Sequence, residues 1–143
     1  MNIKMEWGNY LIIDNKTFWM RGAPILSFWN TLSKKPNIRG LSSSPLDEGY
    51  YARWEIREKK LNLLDFKSIP NFLAPRTYLF ENFFGNKSNP HFAYWFSGSI
   101  FVEEGDIINC SHHFGITRMY QFEMVFKDGI LINTDMKDLS RTY

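Results

Sequence analysis

Apolar and polar positions alternate with a period of two along much of the chain. The clearest case is Tyr50-Tyr51-Ala52-Arg53-Trp54-Glu55-Ile56-Arg57. Tyr50, Ala52, Trp54 and Ile56 fall on one face, and Tyr51, Arg53, Glu55 and Arg57 on the other, as in a half-buried antiparallel strand. Glu58-Lys59-Lys60 then turns the chain into a second strand over 61–66. The run Tyr10-Leu11-Ile12-Ile13, the polar Asp14-Asn15-Lys16 and the return Thr17-Phe18-Trp19-Met20 predict a hairpin. Near the other end Tyr120, Phe122, Met124 and Phe126 alternate with Gln121, Glu123, Val125 and Lys127, and Asp128-Gly129 supplies the φ > 0 turn into Ile130-Leu131-Ile132-Asn133. Between them, 92–102 reads as two strand halves around Ser97-Gly98. Glu103-Glu104-Gly105-Asp106 reads as a turn, and Ile107-Ile108-Asn109-Cys110 as a strand.

One stretch has helical spacing instead. Ile25, Phe28, Trp29 and Leu32 recur at i, i+3, i+4 and i+7, with Pro24 suited to a first turn and Pro36 barring continuation. Lys34-Lys35 suit the negative end of the dipole, so the helix is placed at residues 24–34. Residues 36–49, rich in Pro, Gly and Ser, form a long loop of the kind that tends to be functional. Residues 67–91 are strongly apolar but broken by Pro70, Pro75 and Pro90, and periodicity leaves open a short helix near 77–84 or a strand. No period of 20–50 residues repeats. These elements predict a mainly β (α+β) fold: an antiparallel β-sandwich or partly open barrel of about eight strands with one helix on a face or edge. A single domain spans 1–133, and the polar tail 134–143 is expected to fray.

Composition narrows the function classes. The 143 residues include 13 Phe, 7 Tyr and 5 Trp, and 44% are apolar. With 17 Lys and Arg against 15 Asp and Glu, the net charge is +2. That balance excludes disorder and gives little of the counterion release on which nucleic-acid binding depends. The best basic group, Lys34-Lys35 with Arg39, reads as a solvated helix end. One cysteine excludes an internal disulfide framework. No run is long enough to span a membrane as a helix, and the start carries Glu6 where a signal peptide would be apolar. The expectation is a cytoplasmic domain.

The middle of the chain resembles a family of small uncharacterised bacterial β-rich proteins. The residues that carry the resemblance are Gly49-Tyr50 with Trp54-Glu55-Ile56-Arg57 and Leu61-Asn62-Leu63-Leu64-Asp65, then Trp95-Phe96-Ser97-Gly98-Ser99-Ile100, then His113-Phe114-Gly115 with Tyr120. They match WEIR…LxLxD, WFSGxI and HxG…Y patterns over roughly residues 46–133. The chain departs from the pattern at Gln121, where the family carries an acidic residue, and in an Asn- and Phe-rich insertion near 81–90. The resemblance implies strands in these positions and no particular activity.

No catalytic constellation stands out. Cys110-x-His112-His113 puts two ligands on one side of a strand, where zinc motifs show two tight pairs, so no metal or cofactor is expected. Cys110 in a strand reads as a small buried hydrophobe rather than a nucleophile. Ser97-Gly98-Ser99 lacks the G-x-S-x-G frame, and neither a P-loop nor a dinucleotide fingerprint occurs. Two readings remain. In the first, the chain is a non-catalytic protein-binding domain, since Tyr, Trp, Phe and Arg dominate interface hot spots. Its most concrete form is an immunity-type inhibitor that neutralises a secreted bacterial toxin domain. The surplus aromatics Phe72, Tyr78, Phe80, Phe83 and Phe84 are its expected binding residues. In the second, Trp54, Glu55, Trp95, Ser97, His113 and Tyr120 converge on a pocket for a small ligand or a hydrolytic reaction. A homodimer through segment 78–84 or the edge of the last hairpin is a further possibility.

Overall fold

The structure, a computed structural model, describes residues 8–32, 50–68, 77–84, 90–111 and 115–139, and the side chains of these outside 106–117. The helix end at 33–34, the loop 36–49, Arg39, Phe72, His112 and His113 lie outside the described residues.

In chain order the elements are β1 (Gly8–Ile13), β2 (Lys16–Arg21), α1 (Pro24–Trp29), β3 (Tyr50–Arg57), β4 (Lys60–Ser68), α2 (Phe80–Phe84), β5 (His91–Phe92), β6 (Gly98–Ser111), β7 (Gly115–Lys127) and β8 (Ile130–Asp138). The fold is mainly β. Seven strands close into a barrel in the order β3-β1-β2-β6-β7-β8-β4 and back to β3, and β5 is an eighth strand added to β4. The barrel replaces the sandwich and the partly open barrel that the alternation suggested. Closure depends on a pairing with no local signature: β1 runs parallel to β3, with Leu11 opposite Trp54. β3 therefore joins both β1 and β4, and no edge is left there.

Three hairpins turn on two-residue loops whose central residues have positive φ: Asp14-Asn15, Glu58-Lys59 and Asp128-Gly129. Such turns match the right-handed twist of the flanking strands. Asp, Asn and Gly take this conformation readily, whereas Glu58 and Lys59 hold it against a cost of about 1–2 kcal/mol each.

Two expected boundaries move. Glu103-Glu104-Gly105-Asp106 is no turn but a bulge inside the 14-residue β6, where the ladder to β7 shifts between Glu104 and Ile107. Gly105 sits there at φ +93, and a Cβ on it would lie 3.1 Å from the Tyr120 ring. A bulge and a turn call for the same residue chemistry, so the sequence alone cannot separate them. At the C-terminal end β8 stays registered with β7 as far as Asp138, opposite Tyr120, past the point where polar composition placed a fraying tail.

α1 is shorter than its apolar stripe, ending at Trp29. The Thr31 hydroxyl donates to the Phe28 carbonyl at 2.7 Å and the Thr31 N–H to the same oxygen at 2.9 Å, which closes the last turn tightly. Within segment 77–84 residues 80–84 form helix α2 and Leu79 makes an isolated antiparallel bridge to Lys67, with Asn82 Oδ1 accepting the Leu79 N–H at 2.7 Å. β5 ends at Phe92, and the chain turns at Tyr94-Trp95 before β6 begins.

The barrel interior is filled by side chains. Leu11, Met20, Trp54, Leu61, Leu63, Phe66, Ile100, Val102, Met124 and Phe126 are buried in one cluster. Burying each large apolar side chain contributes about 1.5–3 kcal/mol. Among the described residues two polar side chains are buried, and both are satisfied: Ser68 Oγ accepts the Tyr78 N–H at 2.6 Å, and Asn9 is paired with two core aromatics. Asn9 Oδ1 accepts the Trp54 indole N–H at 3.0 Å, and Asn9 Nδ2 donates to the Tyr50 hydroxyl at 3.1 Å.

Candidate functional site

Most of the aromatic contacts among the described residues fall in three places. The first is the barrel interior, where Trp54 is fully buried and its one polar atom is spent on Asn9. Trp54 therefore packs the core.

The second is an aromatic cap built by α1, α2 and the segment 91–95. Phe83 meets Phe66 edge-on at 5.6 Å and Phe28 edge-on at 6.2 Å. Phe84 lies between Phe28 at 4.7 Å and His91 at 4.4 Å, and stacks on Trp95 at 5.6 Å with the rings 12° apart. The Trp95 indole N–H donates to the Pro24 carbonyl at 2.8 Å, tying segment 91–95 to the start of α1. Tyr78 packs on Phe83 at 6.0 Å, and Phe80 is buried against Phe84 at 5.1 Å. Each such ring pair adds about 0.5–1.5 kcal/mol beyond its buried area. Of the residues expected to form a binding surface, Phe80 is buried and Tyr78, Phe83 and Phe84 are half-buried against the core, and their number reflects a tertiary layer invisible to period counting. Tyr94, edge-on to Trp95 at 5.5 Å, is the ring of this group left exposed, at 58%.

The third place is the outer wall of β3, β1 and β2. Tyr10 is registered opposite Trp19 on β2 and Arg53 on β3, and these side chains point away from Leu11 and Trp54. Tyr10 and Tyr51 rings are 5.6 Å apart. Trp19 is 51% exposed, with the Arg21 guanidinium 5.8 Å from its ring centre. Arg21 also pairs with Glu103 at 3.6 Å, across β2 and β6. Burial pushes the Tyr51 hydroxyl above the usual phenol pKa; Arg53 pulls it down, and Asp65 adds a smaller upward push. Arg53 Nε is buried with no hydrogen-bond partner among the described residues.

The residues offered for a pocket are spread over this frame. Glu55 is on the outer wall of β3, 3.9 Å from the Arg57 guanidinium. Ser97 Oγ accepts the Asp128 N–H at 2.9 Å and so braces the β7–β8 turn. Tyr120 lies over Gly105 at the β6 bulge. Trp54 is inside the barrel and Trp95 in the cap. Among the described residues no group of three or more His, Cys, Asp or Glu is placed to hold a metal ion, and no helix is long and apolar enough to cross a membrane.

Sequence reasoning passed over Trp19 as a strand residue. A signal was present: Phe18 and Met20 occupy one face of β2, so a tryptophan between them must take the other.

Fold and side chains together define a closed, side-chain-filled β-barrel with an aromatic cap at one place and, at another, a wall on which Trp19 is exposed beside half-buried Tyr10, Arg21 and Arg53. No family model, curated protein or solved structure matches the chain.

Proposed function

We propose that the protein is a non-catalytic binding domain that engages a protein partner through the outer wall of β1, β2 and β3. The observation that carries this reading is Trp19: a half-exposed indole with Arg21 against its ring and Tyr10 opposite it in the ladder. An exposed Trp contributes little to folding, and Trp, Tyr and Arg are the residues that concentrate binding energy at protein interfaces. A wall of strands presents them rigidly, so little ordering entropy is lost on association.

The most concrete form is an inhibitor of the immunity type, which covers a secreted toxin domain and neutralises it stoichiometrically. Small size, a filled barrel and a stiff aromatic wall suit that task. The test is affinity capture from cells that encode the protein, in parallel with Trp19→Ala. A toxin domain retained by the unaltered protein and weakened about 30-fold or more by Trp19→Ala, the loss of about 2 kcal/mol typical of a hot spot, supports the reading. Equal retention by the two proteins, or failure of co-expression to relieve the toxicity of the captured domain, overturns it.

A further inference from the structure

β8 is bound on one side along its whole length and on the other for a single turn. Its ladder to β7 runs from Ile130 to Asp138. Its other edge meets β4 at Lys60–Ile130, and the Leu131 N–H donates to the Lys59 carbonyl at 2.7 Å. Among the described residues no strand registers with that edge after Leu131. Residues 132–137 are exposed on both faces of the sheet, Ile132 at 60% and Met136 at 59%. An edge of this kind, free of proline, is a template for another strand.

We infer that this edge pairs with the same edge of a second copy, antiparallel about a two-fold axis through Met136, giving one sheet continuous across two barrels. The register follows by elimination. Residues directly opposite in an antiparallel pair point to the same face, so a two-fold axis perpendicular to the sheet must place one residue opposite itself. The free stretch 132–137 offers six centres, and those on Ile132 and Asn133 fall on the part of the edge that β4 already holds. Centring on Thr134 draws Leu131 and Ile130 into the new ladder, and that part of the edge is already taken by Lys59 and Lys60. Centring on Asp135 sets carboxylate against carboxylate, and centring on Lys137 sets ammonium against ammonium. Like charges directly opposite are unfavourable. Centring on Met136 leaves the contact clear of β4. It puts Asp135 opposite the partner's Lys137 and Lys137 opposite the partner's Asp135 on one face of the sheet, with the two Met136 side chains side by side on the other face. Such an interface is isologous and closes on itself.

Sedimentation velocity over a concentration series tests this, with circular dichroism as the check that each variant folds. The unaltered protein forms a dimer. Asp135→Lys and Lys137→Asp each weaken it about tenfold or more, because every substitution acts twice across the axis, and the combined Asp135→Lys/Lys137→Asp variant restores it. As a second readout, Met136→Cys in a Cys110→Ser background is oxidised to a covalent dimer and Thr134→Cys is not, since directly opposed Cα atoms about 4.5–5.5 Å apart lie within disulfide range. A monomer at every concentration, cross-linking at residue 134 instead, or no rescue by the charge swap overturns the inference. So does a monomer whose β8 edge takes up an extended peptide, which would assign the edge to a foreign strand. Trp19→Ala keeps the dimer, so failure here is distinguishable from failure of the proposed binding wall.

Discussion

The barrel body and the end of the β7–β8 hairpin are built from the same alternating pattern, yet different forces hold them. In the body, β3 and β4 present Ala52, Trp54, Leu61, Leu63 and Phe66 to a common interior, so each strand is fixed by side-chain burial as well as by its ladder. In the hairpin end, residues 132–137 of β8 are exposed on both faces and are held by their backbone bonds to β7, with one side-chain bond along the strand from Asn133 Nδ2 to Asp135 Oδ2 at 2.9 Å. The difference teaches that a strand can be regular without being part of the core. Regularity there serves to present an edge.

The contrast predicts where substitutions cost stability. Trp54→Ala removes a fully buried indole and leaves the Asn9 amide oxygen without its donor. Chemical denaturation is expected to show a loss of about 3–5 kcal/mol, enough to unfold many domains of this size. A loss below about 1 kcal/mol would mean that the barrel is not packed around Trp54.

The seam between the two regions comes next. Gly129 is the point where β7, β8, β4 and the segment after β5 meet: its N–H donates to the Phe96 carbonyl at 2.7 Å and its carbonyl accepts the Leu61 N–H at 2.9 Å. It has φ +79, and an added Cβ would stand 2.5 Å from the Ala93 oxygen. Gly129→Ala is expected to cost about 2–4 kcal/mol, combining left-handed strain with that contact. Gly129→Asn sharpens the point. Asparagine tolerates the backbone angle, so a similar loss in thermal unfolding assigns the cost to the seam rather than to the turn.

How much of this was legible in the sequence follows the same division. The hairpin turns at Asp14-Asn15 and Asp128-Gly129 were readable because their chemistry is local. The β3 strand was readable because eight residues alternate without interruption. The parallel contact of β1 with β3 was not, since nothing in either strand marks a partner some 40 residues away. The aromatics of 78–84 read as surplus because the layer they pack into is assembled from Phe28 on α1, Phe66 on β4 and His91 and Trp95 after α2, which no single period joins. Trp19 carried a period-two signal, but exposure depends on what covers a face, and a single sequence does not state that.

The smallest expected effect tests the hairpin end directly. Ile132 lies where the β7–β8 ladder shifts, between Leu131, which is opposite Phe126, and Asn133, which is opposite Val125. With its side chain 60% exposed, Ile132→Thr removes little buried area and keeps a β-branched residue in the strand. Its effect on unfolding free energy is expected to stay within about 0.5 kcal/mol, against the several lost at Trp54, although both positions are apolar residues in regular strands. The Met136-centred register pairs residues 134–138 of the two copies and leaves Ile132 outside, so the effect is expected to be the same below and above the dimerisation range. A cost of about 2 kcal/mol already present in the monomer would mean that Ile132 is packed by this chain itself, and the distinction between a buried body and a presented edge would fail at the residue where it is sharpest.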